Sequence, residues 1–140
     1  MIGCFMNNKI TVYDVLIIEQ DIGYRYMMYS EVKRSTPSCR VASTVREAKE
    51  MIKSGRYFRS ILVDICSLND VHEIADMILS GTKSIKQPKL YLVSESITKS
   101  EIEKELSKIQ YDYVLTFSFI PKPYSPGEIT QKLLGNYLIK

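Results

Sequence analysis

Val12-Tyr13-Asp14-Val15-Leu16-Ile17-Ile18, followed at once by Glu19-Gln20-Asp21, is the stretch on which the reading of the fold turns. Its second half is continuously apolar rather than alternating. Such a run reads as a strand buried on both faces, as in a parallel sheet covered by helices on either side. A helical stretch follows from about Gly23 to Arg34. Thr36-Pro37 ends it, because the residue before a proline is driven out of the helical region.

Working outward, the same alternation repeats. Arg40-Val41-Ala42 is a short strand, and Ser43 or Thr44 can cap a helix that sets Val45, Ala48, Met51 and Ile52 on one face. Ser54-Gly55 closes that helix, and Ile61-Leu62-Val63 is a third strand ending in Asp64. From Asp70 to Leu79, Val71, Ile74, Met77 and Ile78 form a helical stripe, stopped by Ser80-Gly81. Leu90-Tyr91-Leu92-Val93 is the fourth strand. Thr98-Lys99-Ser100-Glu101 is a capping box opening a helix with Ile102, Leu106 and Ile109 inward. Tyr113-Val114-Leu115 is expected as the fifth strand, with an apolar tail through Phe117, Phe119 and Ile120. Ser125-Pro126-Gly127-Glu128 then supplies an N-cap, a first-turn proline and a capping glutamate before Ile129, Leu133, Leu134 and Tyr137. Five strands alternating with five helices predict an α/β fold, a doubly wound five-stranded parallel sheet.

Composition narrows the class. A chain of 140 residues suits one domain, taken as 12–140 behind an N-terminal extension, 1–11. With 45% hydrophobic and 25% charged residues it can bury a core without staples. Cys4, Cys39 and Cys66 are odd in number and widely spaced, so reduced thiols are expected. The single histidine, His72, cannot build a metal cluster alone and reads as a helix-surface residue. The net charge of +3 is interleaved with Glu, which argues against direct nucleic-acid binding. No apolar run reaches the length of about 18 residues that spans a bilayer, and MIGCFMNNKI lacks the pattern of a signal peptide. A cytoplasmic protein without membrane attachment is expected.

In a doubly wound sheet, ligands bind beyond the carboxyl ends of the strands. Those ends carry Glu19, Gln20 and Asp21 after strand one, Asp64 after strand three, Ser94 and Glu95 after strand four, and Lys122-Pro123 after strand five. The order acidic cluster, Asp, Ser, Lys-Pro resembles the receiver domains of two-component response regulators, over about Tyr13 to Leu138. The resemblance implies the flavodoxin-like receiver topology, with strand order 2-1-3-4-5. It also implies a phosphorelay role: Asp64 accepts a phosphoryl group from a histidine kinase or phosphotransfer protein, Ser94 contacts that group, and Lys122 is its cationic partner. Mg²⁺ would be held by Glu19, Gln20, Asp64 and the backbone carbonyl of Cys66, with Asp21 as a substitute ligand. Ser94 and Phe119 would form the switch that relays phosphorylation to the surface.

Phosphoryl transfer needs these residue types because the work is positioning and charge neutralisation. At ~4 Å and an effective dielectric near 20, each like-charge pair costs about 4 kcal/mol. A dication and an ammonium cancel that cost.

The sequence departs from the family at Gln20, which supplies no negative charge where a second acidic ligand is usual. The loop Ile65-Cys66-Ser67-Leu68-Asn69-Asp70 lacks the family's proline and glycine, and Glu95 replaces a small residue. Two readings are therefore open. One is a stand-alone receiver, with nothing after Lys140, that signals through a downstream protein partner. The other is a degenerate receiver, a protein-interaction module independent of phosphorylation. An enzyme is not expected, since there is no GxGxxG, Walker motif or Ser/His/Asp set. By family analogy the last strands and helices can form a homodimer, with Phe117, Phe119, Ile120 and Tyr124 as one surface for it.

Overall fold

The computed structural model describes residues 10–81, 86–109, 115–122 and 125–138. Ten elements alternate along the chain: β1 Thr11–Ile18, α1 Ile22–Ser35, β2 Cys39–Ala42, α2 Val45–Lys53, β3 Arg56–Asp64, α3 Leu68–Gly81, β4 Lys89–Ser94, α4 Lys99–Leu106, β5 Ser118–Pro121 and α5 Pro126–Leu138. The five strands form one sheet in the order β2-β1-β3-β4-β5, with every neighbouring pair parallel. This is the doubly wound topology that the sequence predicts.

Side chains in a strand point alternately to the two faces, and the strands divide their apolar residues accordingly. Leu16 and Ile18 of β1, Ile61 and Val63 of β3, and Leu90 and Leu92 of β4 join Val45, Ala48, Val71, Ile74, Ile78 and Ile102 in one core. Val15, Ile17, Leu62, Val93 and Ile120 join Met28, Val32, Ile129, Leu133 and Leu134 in the other. Thus α1 and α5 cover one face of the sheet, and α2, α3 and α4 cover the other. Val15 to Ile18 are each no more than 3% exposed, so the continuous apolar run of β1 is buried from both sides.

Local signals fix the helix ends. Thr44, rather than Ser43, caps α2 by accepting from the Glu47 N–H, while the Glu47 carboxylate takes the Ser43 N–H and hydroxyl. Thr98 and Glu101 form the expected capping box at α4, and Ser125 and Glu128 a reciprocal pair at α5. Gly55 closes α2 at φ 96°, in the left-handed region where a Cβ would be strained. At the foot of β1, the Thr36 hydroxyl donates to Asp14 at 2.7 Å and Arg59 pairs with Asp14 at 2.8 Å, which anchors the end of α1.

The fifth strand differs from its expected position. The strand lies at Ser118–Pro121, within the stretch expected as an apolar tail, and Leu115 precedes it as irregular chain. The reason is register: Phe119 pairs with Leu92 and Ile120 with Val93, which puts Ile120 into the core at 3% exposed. Pro121 opposes Ser94 on an edge strand, where a missing N–H is tolerated. Of the residues expected at a dimer surface, Ile120 is buried and Phe117 and Phe119 are half-buried against the core. Tyr113, Val114, Pro123, Tyr124, Cys4 and the side chain of Tyr137 lie outside the described residues.

Phe58 is 1% exposed and stacks on Tyr13 with ring centroids 5.4 Å apart. Phe58→Ala is expected to lower unfolding free energy by about 3–5 kcal/mol, read from urea denaturation followed by circular dichroism. A change under about 1 kcal/mol would contradict this packing.

Candidate functional site

The carboxyl ends of β1, β3, β4 and β5 bring Glu19, Asp64, Ser94 and Lys122 to one rim of the sheet. The Lys122 ammonium lies 3.2 Å from Asp64 Oδ1, and the two side chains are only 13% and 12% exposed. Residues far apart in the chain thus share one ion pair, which the strand order makes possible by placing β3 and β5 on either side of β4. The Lys122 ammonium also lies 5.1 Å from the centre of the Tyr24 ring.

Glu19 is 4% exposed and accepts from the Asp21 N–H at 3.3 Å, with the Asp64 carboxyl as its charged neighbour. Burial pushes its pKa up first, and the Asp64 carboxyl pushes it further. The Asp21 N–H and Lys122 pull the other way, and the balance stands at about 7. A buried carboxyl beside a second negative charge keeps its proton, because ionising it would add a like charge in a desolvated cup. Burial opposes the charged form of Lys122, yet the hydrogen bond to Asp64 and the charges of Asp64, Glu19 and Glu95 outweigh it, so its pKa is raised. It is an ammonium at neutral pH.

The other expected site residues are placed as follows. Asp21 is the N-cap of α1: its Oδ1 accepts from the Tyr24 N–H at 2.8 Å, and its own N–H donates to Glu19 Oε2 at 3.3 Å. Gln20 is exposed, with its Oε1 3.8 Å from the Cys66 thiol. Burial raises the pKa of that thiol, and the charges of Asp64, Asp70 and Glu19 raise it further, so it stays protonated. The Cys66 and Ser67 N–H groups both donate to Asp70 Oδ2, which holds the loop after Asp64. Ser94 is buried, and its hydroxyl is doubly engaged: it donates to the Ile65 carbonyl at 2.9 Å and accepts from the Ile97 N–H at 3.0 Å. Phe119 is half-buried on the α3–α4 side of the sheet. Glu95 is exposed and raises the Lys122 pKa through its charge. His72 sits on the surface of α3, 2.6 Å from Glu105 of α4.

Sequence reasoning missed part of the rim. A cavity of about 390 Å³ opens beside Asp64, lined by Ser43, Thr44 and Arg46 at the start of α2 and by Asp70 and Glu73 of α3. The loop after β2 was open to the same strand-end rule that found Asp64. Tyr24 carried no sequence signal of its own; only the capping aspartate at position 21 fixes where its ring lies. Among the described residues, no group of three or more His, Cys, Asp or Glu is arranged to hold a metal ion. Glu19 and Asp64 nonetheless offer two adjoining carboxyls whose repulsion is relieved by a proton and one ammonium. That donor chemistry fits a hard, oxygen-seeking dication, with one carboxylate fewer than the resemblance leads one to expect.

No family model matches this chain, and no curated protein does. Solved structures do. The chain is similar to the chemotaxis protein CheY4 of Vibrio cholerae at 15% identity and a TM-score of 0.67, covering 89% of this chain and 98% of that one. It is similar to a two-component response regulator from Legionella pneumophila at 15% identity and a TM-score of 0.63, covering 91% and 99%. A third likeness is to the receiver domain of Ssk1 from Saccharomyces cerevisiae, crystallised with the phosphotransfer protein Ypd1. There the identity is 18% and the TM-score 0.61, covering 89% and 88%. The chain therefore has the fold of response-regulator receiver domains. It carries at the strand ends an acid pair facing a lysine.

The raised pKa of Glu19 has a definite sign for stability. The folded chain holds this proton from about 4.5, where the unfolded carboxyl ionises, up to about 7, so the group's contribution is full at low pH and is lost as pH rises through 7. The difference in unfolding free energy between wild type and Glu19→Gln is expected to change by on the order of 3 kcal/mol between acid and alkaline pH, with wild type losing ground as pH rises. Parallel pH–stability curves for the two proteins would contradict a proton held on Glu19.

Proposed function

We propose that this chain is a signalling receiver in which Asp64 accepts a phosphoryl group from a histidine kinase or phosphotransfer protein. The observation that carries this reading is the Asp64–Lys122 ion pair at 3.2 Å, set beside Glu19 in a largely buried cup. A carboxylate oxygen of Asp64 attacks phosphorus while the bond from phosphorus to the donor imidazole nitrogen breaks. The nitrogen keeps the electron pair, and an acyl phosphate forms on Asp64. Lys122 offsets the negative charge brought together in this step. Mg²⁺, held by the Glu19 and Asp64 carboxylates, would supply further charge neutralisation at the phosphoryl oxygens. Its entry requires Glu19 to give up its proton, so binding strengthens as pH rises through about 7.

Ser94 is the residue through which the modification would leave the cup. Its hydroxyl must release the Ile65 carbonyl to donate to a phosphoryl oxygen, which loosens the tie between the loops after β3 and β4. Phe119, packed on the same side as α4, is placed to follow that change, and a protein partner reading α4 and β5 would sense it. The second reading, a receiver that binds partners without phosphorylation, is favoured by Gln20 at the acidic position and by the engagement of both hydrogen-bonding roles of Ser94.

Incubation with acetyl phosphate and Mg²⁺, followed by intact mass, separates them. Wild type is expected to gain one phosphoryl group, Asp64→Asn none, and Lys122→Met to gain it at least about tenfold more slowly. Unmodified wild type under saturating Mg²⁺ would remove Asp64 from this role and leave the second reading.

Replacement of the neutral side chain at position 20 gives an independent check on the cation. Gln20→Asp is expected to tighten Mg²⁺ binding by about tenfold or more, measured by calorimetric titration above neutral pH. Equal affinity in the two proteins would show that position 20 does not face the ion.

A further inference from the structure

The Lys122 ammonium carries three N–H donors, and Asp64 Oδ1 is its one hydrogen-bonding partner among the described residues. The side chain is only 13% exposed, so bulk water cannot surround the rest of it. What lies close instead is the face of Tyr24, 5.1 Å from Nζ to the ring centre. The face of an aromatic ring is electronegative and attracts a cation within about 6 Å, by roughly 0.5 kcal/mol when exposed and about 2 kcal/mol when desolvated.

The ring is put there by local chemistry. Asp21 caps α1 through the Tyr24 N–H at 2.8 Å, which makes residue 24 the third of the helix and fixes its direction over the rim. The Arg25 guanidinium donates to the Glu19 carbonyl at 2.8 Å and holds the same loop against the end of β1. Thus the loop that carries Glu19 leads straight into the first turn of α1, which carries the ring that faces Lys122.

We infer that Tyr24 is a positioning residue for Lys122: its ring occupies space beside the ammonium that water would otherwise take, and holds it on Asp64. This deepens the reading of Asp64 as the acceptor, because a better-held ammonium speeds phosphoryl uptake there. The ring is the active part, so phenylalanine serves in its place and an aliphatic residue does not.

The test uses the full chain as wild type, Tyr24→Phe and Tyr24→Leu, with two measurements. In NMR spectra of lysine-labelled protein, the Lys122 ε-protons are expected upfield of those of the exposed lysines in wild type and Tyr24→Phe, and among them in Tyr24→Leu. Phosphoryl uptake from acetyl phosphate with Mg²⁺ is expected to be near wild type in Tyr24→Phe and slower by about twofold to about thirtyfold in Tyr24→Leu. Wild-type Lys122 protons without upfield displacement would overturn the inference, whether or not Tyr24→Leu folds. So would equal effects of Phe and Leu, or a Tyr24→Leu protein unchanged in both measurements. If wild type takes up no phosphoryl group, the acceptor reading falls alone, and the Lys122 resonances of the three proteins still decide whether the ring holds the ammonium.

Discussion

The site depends on holding one ammonium and two carboxyls close together at the edge of a sheet whose core is apolar on both faces. Taken singly, each of these groups would be costly to remove from water. Together, Lys122 neutralises one negative charge at Asp64 and a proton neutralises the other at Glu19. The cup is therefore stable as a set and unstable in parts. Its members come from three strands, so the set exists only when β1, β3 and β5 hold their places in the sheet.

Around this set the acidic residues of the rim divide between two duties. Asp21 and Asp70 spend their carboxylates on backbone N–H groups at the starts of α1 and in the loop before α3. Glu19 and Asp64 are left facing each other and Lys122. The division leaves Glu19 and Asp64 as the carboxyls grouped with Lys122. It also explains how the rim is kept rigid, since the capping carboxylates fix the loops on which the chemistry stands.

Ser94 shows the same economy in a hydroxyl. Its bonds to Ile65 and Ile97 tie two loops together, and those are the bonds that a phosphoryl oxygen would compete for. A residue tied to both loops in one state is well placed to release them in another. Tyr24 belongs to the same scheme from the opposite side, through the ring beside Lys122.

The sequence by itself determined the layered α/β architecture, most helix boundaries and the residues gathered at the strand ends. Those features follow from apolar periodicity and from capping bonds that span three or four residues, so short stretches suffice to specify them. Glu19, Asp64, Ser94 and Lys122 were legible because strand-end positions can be counted along the chain. The tertiary structure alone decided the place of β5, where two apolar stretches compete and pairing with Leu92 and Val93 selects Phe119 and Ile120. It also decided that the Ser94 hydroxyl is engaged on both sides, that Glu19 keeps a proton to about 7, and that Tyr24 faces Lys122. Each of these depends on burial and on neighbours supplied by other segments, and neither is written in any local run of residues.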